Sequence, residues 1–274
     1  MSASLEPGAG ALRQTRSALV GSLGRRFLEL LQTGRDLYRV FVLTLHYSRK
    51  GEPNRRAFYA QMYEIGNRSL VFLAIVMGFI GMILVYQGGL QTRRVVPDLS
   101  LLGATFLQLL VRDLAASICA LMLATRVGAG IAAEIGSMVV TEQVDALRMC
   151  ATDPVDYLIR PRFLACLSMF AALVVIAAGV AFLAGMWTAH AFFGVNPRTF
   201  ANVSMVSVGD LTIGLTKCVA YGAAIPVISG YCGLTAFGGS EGVGAATTRA
   251  VVNSSLAVII LNFVISGAGY LVFG

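Results

Sequence analysis

Charge is what this sequence has least of: Asp, Glu, Lys and Arg make up 13% of its 274 residues, against 57% hydrophobic. A soluble domain carries about a quarter charged residues. With a mean hydropathy of +0.75 the chain belongs in a bilayer. Lysine is nearly missing, Lys50 and Lys217 being the only two. Neither sits in a GxxxxGK[ST] stretch, so the chain has no P-loop of its own. GxSxG and HExxH are missing too, which removes those hydrolase and zinc-protease readings. The only histidines are His46 and His190, and Cys119, Cys150, Cys166, Cys218 and Cys232 never come as CxxC. The cysteines read as small core residues, and no metal site is expected.

In place of charge the chain has long apolar runs. Stretches of the roughly 20 residues that cross a hydrocarbon core as helix recur over 69–90, 99–125, 163–187, 208–234 and 251–273. The fold class expected is an all-α integral membrane protein of about five transmembrane helices. In the third run Ala177, Ala181, Gly185 and Ala189 form a ridge of small residues suited to close helix packing. In the fourth, Pro226 should kink the helix, and 237–246 then reads as a glycine-rich turn.

Residues 1–68 form an N-terminal portion ahead of a membrane domain over 69–274. From Val20 onward, Leu23, Phe27, Leu30, Leu37, Phe41 and Leu45 recur at helical spacing among Arg25, Arg26, Arg35 and Arg39. That is the pattern of an amphipathic helix lying on a membrane surface, or on the protein's own bundle. The pattern breaks at 49–56, which holds Gly51 and Pro53. Eleven of the 21 basic residues precede Ser69, on a segment apolar enough to suit an anionic membrane face and not nucleic acid. Arginines also recur over 126–162, whereas the opposite loops hold only Arg93, Arg94 and Arg198. The positive-inside rule then puts the N-terminus in the cytoplasm and the C-terminus outside.

Two features interrupt the apolar pattern. The stretch RVGAGIAAEIGSMVVTEQVDALRMCATDP, 126–154, is polar and helix-forming. Glu134, Met138, Glu142 and Asp145 fall at helical spacing on one face, and Asp153 before Pro154 should end the helix. The stretch exceeds the roughly two to eight residues of a bundle connection, though a solvated connector would have the same composition. Arg112, Asp113 and Lys217 lie inside apolar runs, where charge is costly unless it faces protein or water. Either they neutralise one another and fix the second span against the fourth, or they border a cavity. In the second case Arg112 and Lys217 meet an anionic headgroup and apolar walls take acyl chains.

The segment AAEIGSMVVTEQVDALRMCATDPVDYLIRPR, 132–162, resembles the signature of the MlaE/YrbE permeases, membrane subunits of MCE-type lipid ABC transporters. ATTRAVVNSSLAVIILNFVI, 246–265, is similar to the last span of that family, and the resemblance runs from about Ser69 to the C-terminus. It implies a homodimer in the bacterial inner membrane that moves phospholipid. It also implies a cytoplasmic coupling helix, about 131–152, seated in a groove of a cytosolic ABC ATPase, with Glu134, Glu142, Gln143, Asp145 and Arg148 making the contact. No cofactor is implied in this chain; ATP and Mg belong to the ATPase. An MCE-domain lipid-binding protein and, in some systems, a STAS-domain protein complete the implied partners. The implied lipid cavity takes in Val85, Tyr86 and Gly89, together with Arg112, Asp113 and Lys217. Gly89 is smaller than its family counterpart and should widen the pocket, and Asn262 stands where the family has Asp. A proton-coupled secondary transporter and a non-transporting scaffold are the rival readings.

Overall fold

The structure, a computed structural model, describes residues 31–49, 55–95 and 101–273. Its regular structure is all helix, with no strand among the described residues. Helix α1 (31–49) precedes α2 (Arg55–Val95). There follow α3 (Leu102–Val140), α4 (Gln143–Met149), α5 (Val155–Phe193), α6 (Pro197–Phe200), α7 (Val208–Leu234) and α8 (Gly239–Phe273). Five of them, α2, α3, α5, α7 and α8, are long and apolar enough to cross a membrane. The 41 residues of α2 reach about 60 Å, twice a hydrocarbon core of about 30 Å. Its charged first turns, as far as Arg68, therefore overhang the bilayer.

Helices α2 and α5 lie side by side and run in the same direction: Gly66 faces Met169, Gly81 faces Ala181 and Gly89 faces Phe193. The ridge of Ala177, Ala181, Gly185 and Ala189 is buried in this seam, as its spacing suggests. A Cβ on Gly81 would collide with the Ala181 carbonyl, so only glycine allows this approach. Gly81→Leu should cost about 1–3 kcal/mol of overpacking, read as a thermal midpoint lowered by roughly 2–4 °C per kcal/mol. Gly179→Leu on the open face of α5, with nothing within 4 Å of its Cβ, should leave the midpoint where it is.

Helix α3 runs parallel to α7, with Val111 against Gly214 and Gly128 against Ser229. Helix α8 returns antiparallel: Ser229 Oγ lies 3.3 Å from Ser254 Oγ. It is the edge of the bundle, leaving Val252, Leu256, Ile259 and Phe263 exposed.

Several boundaries differ from the sequence expectation: α2 starts at Arg55 and runs through the expected division at 68/69, and α5 and α8 overrun the expected 163–187 and 251–273. The segment 131–152 is not one helix: α3 continues unbroken past Arg126 to Val140, through π-turns at Leu110–Leu114 and Ala124–Gly128. The chain then turns at Glu142, whose φ of 60° is left-handed, and α4 ends before Ala151, with φ 56°. Glu134, Met138, Glu142 and Asp145 therefore do not share a face. Asp153 is non-helical before Pro154, but the helix has already ended at Met149. The turn before α8 needs only 235–238, because Gly238 at φ 97° and Gly239 at φ 72° reverse the chain at once. The fourth span matches its expected limits, and α7 stays continuous through Pro226.

One face of α1 packs on the bundle: Val40, Leu43 and Tyr47 rest on a core of Ile65, Val155, Leu158 and Ile159. Its other face leaves Tyr38, Phe41, Val42 and Leu45 exposed. The packed face bears out docking on the protein's own bundle, and the exposed apolar face is the one a membrane surface would take. The positions expected from Val20 to Leu30 and the break over 50–54 lie outside the described residues.

Candidate functional site

The intramembrane charges meet where α3 passes α7. A π-turn over Leu110–Leu114 widens α3 there, so that neighbouring side chains leave at altered angles. Arg112 and Asp113 use it to reach different partners. Arg112 Nη1 donates to Asp210 Oδ1 at 3.3 Å, whereas Asp113 Oδ1 accepts from Lys217 Nζ. Their partners stand about two turns apart on α7, so the site is two ion pairs.

Asp210 anchors the first pair. Its side chain is 2% exposed and accepts from Ser207 N at 3.0 Å, Ser207 Oγ at 3.2 Å and Gln108 Nε2 at 3.3 Å. Ser207 Oγ accepts in turn from Asp210 N at 3.2 Å, a capping box that starts α7. Asp210 is not among the residues expected from the sequence, although Ser207 and Asp210 have capping-box spacing just ahead of an apolar run. In the second pair the Lys217 side chain is 0% exposed and that of Asp113 is 42% exposed. The ammonium is sealed behind its partner, so this pair presents a carboxylate to its surroundings. Arg112 is the basic group that is partly open, with its guanidinium carbon 4.8 Å from the centre of the Tyr270 ring on α8. Asn262, also on α8, accepts from Tyr221 Oη at 3.1 Å. Helix α8 therefore joins the site through the neutral side chains of Tyr270 and Asn262.

Val85, Tyr86 and Gly89 lie along the α2–α5 seam and form a separate cluster. Val85 is buried against Gly185, and Tyr86 meets Phe192 edge to face at 5.4 Å. Phe193 fills the space beside Gly89, where a wider pocket was expected.

At the opposite end of the bundle, α4 stands out. Gln143, Asp145, Arg148, Met149 and Cys150 are exposed, and Asp145 pairs with Arg148 at 2.9 Å. Val144 is the buried anchor, in one core with Ile135 and Ile159. Glu134 does not join this face; it binds Arg162 at 2.7 Å. The Arg162 side chain is 4% exposed, and a cation that far from water needs a carboxylate. Glu134 is thus a strut between α3 and α5.

Tyr47 Oη donates to Asp153 Oδ2 at 2.9 Å and ties α1 to the loop behind α4. That bond, and the charge of Asp153, raise the Tyr47 phenol above its ordinary 10.0. The neutral phenol is favoured in the folded state, so the tether is at full strength below that ordinary value and is lost as pH climbs through the raised one. A nitroxide on Tyr38→Cys, in a Cys150→Ser background, should gain mobility only at such alkaline pH. With Tyr47→Phe added, it should be mobile at neutral pH already.

Bilayer-length helices, ion pairs sunk between α3 and α7 and a short charged helix exposed at one end define an all-α multi-pass membrane protein. The family described as Permease MlaE matches residues 58–268, and the chain belongs to it. It is 38% identical over 227 residues to a probable ABC transporter permease protein of Synechocystis, covering 79% of this chain and 83% of that protein. It is 32% identical over 265 residues to the intermembrane phospholipid transport system permease protein MlaE of Haemophilus influenzae, covering 91% and 98%. The chloroplastic protein TRIGALACTOSYLDIACYLGLYCEROL 1 of Arabidopsis thaliana is 35% identical over 219 residues, 79% of this chain and 62% of that one.

Proposed function

We propose that this chain is the membrane subunit of an ABC transporter that moves phospholipid between membranes. The observation that carries the reading is α4: a charged helix at the end of the α3 overhang, fixed at its base by Val144, on a chain with no P-loop. ATP and Mg then belong to a separate cytosolic ATPase, which takes α4 in a groove and meets Glu142, Gln143, Asp145 and Arg148. Glu134 works behind that contact, passing a push on α3 to α5 through Arg162. The names of the relatives from Synechocystis and Haemophilus support an ABC permease and a phospholipid cargo.

On the other half of the bundle, Arg112 and the Asp113 carboxylate face the headgroup, while Tyr86 and the exposed apolar face of α8 take acyl chains. A second copy of the chain covers α8 and closes the cavity. An MCE-domain lipid-binding protein, with or without a STAS-domain protein, completes the assembly. Arginines gather at the α4 end and only Arg93, Arg94 and Arg198 at the other, which supports α4 in the cytoplasm of a bacterial inner membrane and the C-terminus outside.

Cys150 provides the test. It is exposed next to α4, whereas the other four cysteines are buried. Purified alone, the protein should take one maleimide, at Cys150. Co-expressed with a cognate ABC ATPase, it should bring the ATPase down with it and be protected at Cys150. Full labelling in a complex that still holds the ATPase would move the contact away from α4, and an ATPase that never co-purifies would overturn the reading.

A further inference from the structure

At the α4 end, α2 and α3 part to leave a cleft of about 610 Å³, well away from the two ion pairs. Arg68 is the last charge before the apolar run of α2, and Arg126 is the first charge after that of α3. Both walls therefore place the cleft at headgroup depth in one leaflet.

We infer that this cleft binds the headgroup of a zwitterionic phospholipid, a phosphate diester carrying an ammonium. Two independent observations show unmet donors here. Ser69, 1% exposed on the cleft wall, has a hydroxyl without a hydrogen-bond partner. A buried polar group left unpaired costs stability until something bonds to it. Arg126, on the facing helix, is exposed and makes no ion pair among the described residues. Its neighbours are already engaged: Arg68 with Glu64 at 2.9 Å, and Glu134 with Arg162 at 2.7 Å.

A phosphate diester accepts from Arg126 and Ser69 together. The side chains of Glu64 and Glu134 are 54% and 46% exposed and keep acceptor capacity for an ammonium. Glu64 neutralises Arg68 and Glu134 neutralises Arg162, which leaves Arg126 for the phosphate. The half-exposed oxygens of the two carboxylates are what favour a headgroup that also carries an ammonium. Ile65, Val127 and Ile131 supply apolar wall for the glycerol and first methylenes. Gly130 marks the open mouth, with nothing within 4 Å of its Cβ. The site rests on the membrane-spanning fold and not on transport.

The test uses the full chain in detergent, with an environment-sensitive fluorophore on Gly130→Cys in a Cys150→Ser background. The probes are dihexanoyl-phosphatidylethanolamine, dihexanoyl-phosphatidylglycerol and inorganic phosphate. The ethanolamine lipid should saturate the signal. Arg126→Ala and Ser69→Ala should each raise its midpoint, and together by about tenfold or more, while Arg126→Lys recovers part of the loss. Equal thermal midpoints would show that these variants still fold. No saturable response, or a midpoint indifferent to both Arg126→Ala and Ser69→Ala, overturns the site. Tighter binding of the glycerol lipid overturns the zwitterionic assignment. Inorganic phosphate matching the lipid makes this a free-anion site and overturns the headgroup. A midpoint that follows Lys217→Ala but not Arg126→Ala reports the ion-pair site instead, and overturns the cleft while leaving the proposed transport untouched.

Discussion

Asp113→Ala should destabilise this protein more than Lys217→Met, although both break the same ion pair. The difference lies in what each leaves behind. Without Asp113, a lysine whose side chain is 0% exposed keeps its charge away from water and from any carboxylate. Removing one partner of a buried pair in this way costs about 3–5 kcal/mol. Without Lys217, the remaining carboxylate is 42% exposed and can be met from outside, while methionine fills the volume the lysine leaves. At roughly 2–4 °C per kcal/mol for a chain of this size, the two single variants should differ clearly in thermal midpoint. The Asp113→Ala/Lys217→Met double variant should recover most of the loss. Equal midpoints for the two single variants would sink the asymmetry. Phospholipid retained on purification separates structure from function: if Lys217→Met holds its fold yet loses lipid, the exposed carboxylate or the pair's charge balance takes part in binding.

The second large effect belongs to α4. In the reading proposed, Asp145→Arg reverses a charge in the centre of the ATPase contact and should weaken association by about 2–5 kcal/mol, tenfold for every 1.4 kcal/mol. It should do so without touching the fold. The Asp145 and Arg148 side chains are 66% and 60% exposed, and surface pairs of this kind contribute about 0–1 kcal/mol. The measurement is the dissociation constant of the detergent-solubilised complex beside the thermal midpoint of the permease alone. An unchanged constant would remove α4 from the contact. Glu134→Gln should behave differently, since it strips Arg162 of its partner and should lower the midpoint first.

Most of the fold was legible because apolar length is a strong signal: α7 begins and ends where the hydropathy does. The limits of α3 were not. Its apolar run stops at Arg126, but the helix continues for about four turns because Ile131 and Ile135 still find a core with Val144 and Ile159. Tertiary packing extends the helix past the point where composition turns polar. The left-handed turn at Glu142 was hidden for a different reason: nothing about a glutamate announces a positive φ, and its neighbours impose it. Within the site, the pairing of Lys217 with Asp113 was one of the alternatives that residue types alone allow. The separation of Arg112 from Asp113 was not, because it depends on the π-turn at Leu110–Leu114. Asp210 was within reach of a capping-box reading, yet at the start of a span it passes for an ordinary helix cap.

The seam between α2 and α5 also sets an order of events during synthesis. Gly81 and Ala181, which meet there, are about a hundred residues apart in the chain. At about 5–20 residues per second, α2 waits in the lipid for several seconds or longer before its partner leaves the ribosome. It survives the wait as a single helix because its backbone bonds are internal. Its glycine notches cannot close on anything until α5 arrives. Damage at Gly81 should therefore leave insertion of the helix intact and appear afterwards, as chains that reach the membrane but fail to assemble there.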